Sequence, residues 1–174
     1  MQNDSLYILW DTETTGRRKV SDIIQIGGVC YLGDDQQSEF NHKIKPTTPV
    51  EQGAFNVHKI STSSLQNEKS FCQVFEMFVS WIINISNQFT GLNIYMVAHN
   101  GHAFDLPMLF RNCSRHNSQR NMLLSIPNLF VFDTLRWCRY TLKRKNNSLG
   151  SLYREFTDQT FRGAHDACAD AKAI

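Results

Sequence analysis

The sequence predicts an α/β domain in which five strands form a sheet flanked by helices. The chain has 174 residues, enough to bury one sizeable core, and 41% of them are apolar. Runs rich in β-branched and aromatic residues alternate with segments whose apolar residues recur at helical spacing. The first three predicted strands follow one another directly, and helices separate the later ones. This order indicates a layered α/β arrangement in a single domain over residues 1–174.

The strand and helix boundaries follow from these patterns. We expect strands at 6–10, 23–32, 38–45, 94–98 and 129–132, with a hairpin turn at 33–35. We expect helices at 50–57, 71–86, 106–116, 133–142 and 149–156, and a last helix from 165 onward. Asp133 suits the N-cap of its helix better than a metal site, and residues 61–70 are typical of a loop.

Three short polar motifs follow strands or open a helix. In the first, Asp11 and Glu13 come directly after a strand and then the chain is expected to turn away. Side chains two residues apart in an extended segment point to the same side, although a lone Asp-x-Glu is more often a polar turn. The second motif ends in Asp105, and the third contains His165 and Asp170. The motifs are 11–16, 98–105 and 163–171.

Four carboxylates and a histidine in such motifs fit the hydrolysis of a phosphodiester. Carboxylate oxygens favour Mg²⁺ or Mn²⁺ over Zn²⁺, and with a substrate phosphate they can hold two ions. His165 can face the same cleft as Asp170 only if it lies at or before the start of the last helix, where it would be a general base. Alone, it would more often be a surface or capping residue. Asp166 is a rival ligand to Asp170, but a helix N-terminus favours an acid there in any case.

The net charge of +2 conceals a basic segment. Residues 111–145 contain a single acid, Asp133, and carry these eight basic residues: Arg111, Arg115, Arg120, Arg136, Arg139, Lys143, Arg144 and Lys145. A basic region beside an acidic metal site suits a polyanionic substrate. A solvated basic face explains the charge alone equally well.

The remaining features favour an intracellular protein, either cytoplasmic or nuclear. The five cysteines are scattered and form no CxxC pair, which is typical of free thiols in a reducing compartment. The first residues lack the basic region of a signal peptide, and no apolar run reaches the ~20 residues that span a bilayer. No contact with a membrane is therefore expected.

The three motifs resemble those of the DEDDh family of 3′→5′ exonucleases, with His165 five residues before Asp170. Segments 24–27, 54–58, 133–135 and 148–152 also resemble the family, so the similarity covers nearly the whole chain. The resemblance implies an RNase H-like fold with a five-stranded mixed sheet. Lys59 departs from the pattern, because glycine is usual there. The chain also ends at Ile174, where relatives continue the last helix, which raises the alternative of a domain from a longer protein.

The resemblance also implies residue roles. Asp11, Glu13, Asp105 and Asp170 would bind two Mg²⁺, for which Mn²⁺ would substitute, and His165 would be the general base. The 3′-terminal nucleotide would be held by Thr12, Thr14, His58, Asn100 and Phe104. The expected activity is a metal-dependent 3′→5′ exonuclease that releases nucleoside 5′-monophosphates from single-stranded DNA or RNA, with a polymerase or another protein as partner. The alternative is a non-catalytic module that binds nucleic acid or a partner, although such modules usually lose a ligand and none is missing here.

Overall fold

The computed structural model describes residues 5–118, 121–142, 144, 146–161 and 163–174. The strands are β1 (Ser5–Thr14), β2 (Ile23–Leu32), β3 (Asp35–Lys43), β4 (Asn93–Ala98) and β5 (Leu129–Asp133). The helices are α1 (Gln52–His58), α2 (Phe71–Gln88), α3 (Asp105–Arg115), α4 (Asn121–Leu124), α5 (Thr134–Thr141), α6 (Leu149–Thr157) and α7 (Ala167–Ala173). A 3₁₀ helix spans Ser63–Leu65. The predicted α/β class is confirmed.

The five strands form one mixed sheet in the order β3-β2-β1-β4-β5. The antiparallel meander β1-β2-β3 forms one half, and β4 and β5 add to β1 in parallel. β1 is therefore the central strand, bonded on both sides. Because β1 and β4 are parallel, their carboxyl ends lie at the same edge of the sheet. The first motif includes the last residues of β1, and the second motif begins at the last residue of β4.

The main core lies between the sheet and α2. Leu6, Ile8 and Trp10 alternate along β1 and are fully buried, as period-two alternation requires. A stripe of phenylalanines along α2 covers them and consists of Phe71, Phe75 and Phe78. The ring centroid of Phe78 lies 6.1 Å from that of Trp10. The helical spacing of the apolar residues that predicted a helix at 71–86 therefore places them on its core-facing side. Ser70 begins α2 with a capping box, since its side chain and that of Gln73 each accept from the other's backbone N–H.

The last helix packs on the sheet at a glycine. A Cβ on Gly27 of β2 would lie 2.3 Å from the backbone carbon of Ala167 and 2.3 Å from the backbone nitrogen of Cys168. Behind this contact Cys168 and Ala171 pack on Val29. The absence of a side chain at Gly27 thus lets the start of α7 approach the sheet.

Several predicted boundaries were wrong. β1 continues to Thr14 instead of ending at Trp10, because Asp11, Thr12 and Glu13 stay paired with β2. β3 begins at Asp35, three residues early, and a 3₁₀ turn interrupts the expected loop 61–70. The four-residue helix α4 was not predicted. Other helix ends differ from the prediction by at most two residues.

Two further findings concern the covalent and membrane expectations. No disulfide joins any of the five cysteines, all of which lie in the described ranges. Within those same ranges, no helix combines the length and the apolar character needed to cross a bilayer.

Candidate active site

A cleft of about 490 Å³ opens where the three motifs meet. All ten residues singled out in the sequence line it: Asp11, Thr12, Glu13, Thr14, His58, Asn100, Phe104, Asp105, His165 and Asp170. Residues far apart in the chain therefore converge, as predicted. The cleft also includes Arg17, Glu51 and His99, which the sequence analysis did not assign to the site.

The first motif is a continuation of the central strand. Asp11 pairs with Gly27 and Glu13 with Gln25 across the β1–β2 ladder, so the backbone positions of both acids are fixed. Thr12, between them, is buried and points to Asp105. Its hydroxyl donates to Asp105 Oδ1 at 2.6 Å and its backbone N–H to the same oxygen at 3.2 Å. Thr12 thereby joins two motifs that lie 93 residues apart in sequence.

The third motif places a histidine just outside a helix. His165 has φ +71° and precedes the N-cap of α7, in agreement with the predicted place before the helix start. Its backbone N–H donates to Asp170 Oδ2 at 2.8 Å. The N-cap is Asp166, whose Oδ1 accepts from the backbone N–H groups of Cys168 and Ala169 at 3.1 Å each. The carboxyl group of Asp166 is thus used in capping, and Asp170 lies at the cleft.

A possible metal position lies between the first and third motifs. One ligand atom from each of Glu13, His165 and Asp170 lies within 4.8 Å of the others. Glu13 and Asp170 expose only 9% of their surface each, whereas His165 is exposed. Two largely buried carboxylates and an accessible imidazole thus lie around a single point.

Burial and mutual repulsion raise the pKa values of these acids. Burial raises the pKa of Asp11 well above its usual value, and the charges of Asp105 and Asp170 raise it further. Burial followed by the charges of Asp170 and Asp105 raises the pKa of Glu13 to about 8. Burial raises the pKa of Asp105 to about 6, even though the hydrogen bonds from Thr12 oppose this. Burial also raises the pKa of Asp170, against the hydrogen bond from His165.

In the part of the chain that the structure describes, no lysine or arginine pairs with the four carboxylates. Of the ion pairs found among the described residues, none includes Asp11, Glu13, Asp105 or Asp170. Like charges in a partly desolvated cluster are unfavourable unless a cation lies among them. Oxygen donors at this density are the ligands that Mg²⁺ and Mn²⁺ prefer. The residues present therefore fit a divalent metal site.

Of the five residues expected to hold a nucleotide, the two threonines and the histidine are already engaged within the protein. Besides Thr12, the hydroxyl of Thr14 donates to Gly16 O at 2.7 Å. His58 Nδ1 accepts from the backbone N–H of Ile60 at 3.0 Å, so Nε2 carries the proton and donates to Thr14 O at 3.2 Å. Burial lowers the pKa of His58, in keeping with a neutral ring that fixes the end of β1. Their substrate contacts stay predictions.

Asn100 and Phe104 line the cleft from the loop of the second motif. Both are half-buried, and Asn100 has φ +71°. Buried Asp133 holds this loop, since its two oxygens accept from the backbone N–H groups of Asn100 and His102 at 3.1 Å each. It also accepts from Arg136 N at 3.2 Å, which confirms the predicted cap of α5. The sequence predicted the cap but gave no signal for the loop contact.

His99 connects the cleft to the basic segment. Its Nδ1 lies 3.0 Å from the Thr134 hydroxyl at the start of α5. Burial lowers the pKa of His99 and the charge of Arg139 lowers it further, whereas a hydrogen bond from the ring to the backbone of Asn147 and the charge of Asp133 raise it. Three basic residues of the segment, Arg120, Lys143 and Lys145, lie outside the described residues.

Comparison with known proteins places this cleft in a family. Residues 8–174 match the RNase_T family, described as Exonuclease, and the chain belongs to that exonuclease family. The chain is 28% identical over 178 residues to DNA polymerase III subunit epsilon of Buchnera aphidicola and 28% identical to that of Escherichia coli, and it spans 67% of each. These matches cover 94% and 96% of the chain. It thus spans about two thirds of the length of these relatives.

Solved structures share the fold. The nuclease domain of 3′hExo, a DEDDh family member bound to rAMP, has a TM-score of 0.78 at 14% identity and covers 98% of this chain and 88% of its own. E. coli exonuclease I with a dT13 oligonucleotide has a TM-score of 0.70 at 16% identity, and the match covers 97% of this chain and 39% of exonuclease I. A zinc-bound exonuclease I–ssDNA complex has a TM-score of 0.68 at 17% identity and covers 97% and 38%. The family and the RNase H-like fold predicted from the motifs are confirmed, and this family uses divalent metal ions.

Proposed function

We propose that the chain hydrolyses the terminal phosphodiester bond at the 3′ end of single-stranded nucleic acid and releases nucleoside 5′-monophosphates. The observation that carries this proposal is the convergence of Asp11, Glu13, Asp105, His165 and Asp170 in one cleft. The family membership supports it. Relatives are named as subunits of a DNA polymerase, and related folds have been solved with dT13 and with rAMP. Both DNA and RNA are thus reasonable substrates.

Asp11, Glu13, Asp105 and Asp170 would hold two Mg²⁺ or Mn²⁺ ions. When bound, such ions supply the positive charge that favours an ionised water and stabilises the leaving oxygen. The raised pKa values mean that ion binding displaces protons from these acids. Affinity for the metal should therefore increase with pH.

His165 would accept the proton of the attacking water. Its ring is exposed to the cleft and lies beside Glu13 and Asp170, while its backbone is held by Asp170. The water oxygen bonds to phosphorus, the bond from phosphorus to the 3′ oxygen breaks, and that oxygen takes up a proton. The products are a nucleoside 5′-monophosphate and a strand one residue shorter. Positioned proton transfer of this kind is worth about 10²- to 10⁴-fold in rate.

The defining experiment is digestion of 5′-labelled and 3′-labelled single strands, as DNA and as RNA, with Mg²⁺ or with EDTA. A 5′-labelled strand should shorten stepwise only when metal is present. Asp11→Asn, Asp105→Asn and His165→Ala should each lose at least about 100-fold in rate. Asp34→Asn, in the exposed turn between β2 and β3, is the matched control. Normal cleavage by any of the three cleft variants would refute the proposed roles.

A folded wild-type protein that binds single strands but leaves them intact with Mg²⁺ would instead support the non-catalytic module. We also propose a DNA polymerase as the protein partner, on the names of the relatives alone. Size-exclusion chromatography of the two purified proteins from one organism tests this. Separate elution at micromolar concentrations would argue against a stable complex.

A further inference from the structure

We propose that the outer face of α5 is a binding surface for single-stranded nucleic acid, on which the strand continues beyond the cleft. This inference rests on the proposed function and adds a second contact region to it. The face consists of Arg136, Trp137, Arg139 and Tyr140, and we call it the α5 face. The partner is a polynucleotide because the face combines positive charge with exposed aromatic rings.

The α5 face exposes large aromatic side chains beside basic ones, although large apolar side chains are usually buried. Trp137 is 47% exposed and Tyr140 is 84% exposed. They are three residues apart, so their rings lie on the same side of the helix. Leu135 and Cys138 are buried on the opposite side and attach α5 to the fold. The core thus does not need the two rings, and stacking on a base would cover them.

The charge around the face is one-sided. Residues 134–154 contain six basic residues and no acid. Neither Arg136 nor Arg139 forms an ion pair with any residue in the described part of the chain. Arg144, farther along, pairs with Glu155 and lies 5.4 Å from the ring centroid of Phe156, itself exposed. The two unpaired arginines are therefore available to phosphates.

The α5 face is continuous with the cleft. His99 lines the cleft, and its Nδ1 lies 3.0 Å from the hydroxyl of Thr134, the first residue of α5. Asp133 bonds both the loop that carries Asn100 and the first turn of α5. A strand whose 3′ end lies among the carboxylates can leave the cleft past His99 onto α5. An acidic protein partner could use the same charge, but it would not require stacked rings or a route from the cleft.

The test measures binding of a 3-mer and a 12-mer to the full chain in EDTA, as DNA and as RNA of one sequence. Trp137→Ala with Tyr140→Ala should weaken binding of the 12-mer by about tenfold or more, since a stacked base is worth about 1–3 kcal/mol and each 1.4 kcal/mol is tenfold. Binding of the 3-mer, which occupies only the cleft, should be unchanged. Trp137→Phe with Tyr140→Phe keeps the rings and should retain most of the affinity.

The charge component has its own signature. Arg136→Gln with Arg139→Gln should reduce the slope of log affinity against log salt by about 1.4 for the 12-mer, at about 0.7 per phosphate contact. Lys43→Gln with Lys45→Gln, at and just beyond the end of β3 at the other edge of the sheet, is the matched control and should leave the slope unchanged.

Tryptophan fluorescence gives a readout that does not require a destabilised variant. The chain has three tryptophans, and Trp10 is buried in the core while the indole of half-buried Trp81 donates to Ser38 Oγ. The 12-mer should quench Trp137, and Trp137→Phe should remove that quenching.

The inference would be overturned if the α5 variants weakened binding of the 3-mer and the 12-mer equally, or left binding of the 12-mer unchanged. In either case cleavage by the wild-type protein would still support the proposed function. If the wild-type protein neither bound nor cleaved either strand, the proposed function would fall, and this inference with it. Stacking and phosphate contacts are available to both DNA and RNA. A higher affinity for one of the two 12-mers would therefore identify the natural strand.

Discussion

Glu13→Gln should stabilise the metal-free protein at alkaline pH while it abolishes nuclease activity. Glu13 is largely buried, and its pKa is raised to about 8 by burial and by the charges of Asp170 and Asp105. In the unfolded chain its pKa is close to 4.5. Between these values the unfolded state ionises freely and the folded state does not. The contribution of Glu13 to the stability of the metal-free protein is therefore most favourable below pH 4.5 and declines as pH rises towards 8.

The size of this effect follows from the two pKa values. By linkage, the ionisation of Glu13 lowers the free energy of unfolding by about 4 kcal/mol at pH 8 and by about 1 kcal/mol at pH 5. Glutamine carries no charge in either state, so the substitution should recover part of this loss. The figure of 4 kcal/mol is an upper bound, because neighbouring acids also adjust their protonation. A gain of about 1–2 kcal/mol would raise the melting temperature by roughly 2–8 °C for a chain of this size.

The assay is thermal unfolding of wild-type and Glu13→Gln protein at pH 5 and pH 8, with EDTA and with Mg²⁺. In EDTA the melting temperature of the variant should exceed that of the wild-type protein at pH 8 and nearly equal it at pH 5. With Mg²⁺ the wild-type protein should gain more than the variant, since ligand binding stabilises the folded state. Glu68→Gln is an exposed control. A variant that melted lower than wild type at pH 8 in EDTA would refute the electrostatic account of the cleft.

Three other substitutions test the contacts that hold the cleft and the fold around it. Gly27→Val should lower kcat on a 5′-labelled strand by about 100-fold, because the added side chain displaces the start of α7 by about 1 Å. The control is Gly150→Ala, whose Cβ meets nothing within 4 Å and which should leave kcat unchanged. Thr12→Val removes the 2.6 Å hydrogen bond to the buried carboxyl group of Asp105. It should lower kcat and cost about 1–3 kcal/mol of stability, and Thr12→Ser should restore both. Burial alone would raise the pKa of Asp22, but hydrogen bonds from Thr48, His116 and Thr47 lower it below 3.8. Asp22→Asn should therefore cost about 2 kcal/mol or more at pH 7; this difference should shrink as pH falls below 3.8, as urea unfolding at pH 7 and pH 3 would show.

The sequence was most informative where periodicity and spacing are local. The apolar run 6–10 predicted a buried strand, and the helical spacing of apolar residues in 71–86 predicted a helix with one core-facing side. The chemistry of the motifs and the family resemblance led us to expect Asp11 and Asp105 in one site, and the parallel pairing of β1 and β4 is what brings them together. His165 was expected before the last helix from its five-residue distance to Asp170, and it lies there.

The rest depended on contacts that a sequence pattern does not contain. β1 extends to Thr14 because β2 supplies the hydrogen bonds. In the sequence Asp11 and Glu13 disfavour a strand while Thr12 and Thr14 favour one, so local propensity does not determine where β1 ends. Asp133 holds the loop of the second motif through residues 31 and 33 positions away. Lys59 caps α1 at φ +61°, which explains why glycine suits that position. The first two cases depend on neighbours determined by the tertiary fold, whereas the cap at Lys59 is local, since its backbone N–H donates to Phe55 O.

The division of the site between buried and exposed parts follows from its chemistry. Repelling carboxylates must be held at fixed distances, and the chain places Asp11 and Glu13 on the central strand, bonded to β2, with Asp105 tied to it through Thr12. The buried core under β1 offsets the electrostatic cost. A residue that exchanges protons needs access to solvent, and His165 lies exposed in a turn at φ +71° with only its backbone bonded to Asp170. The carboxylates thus depend on the stability of the sheet, whereas the histidine depends on the short turn before α7.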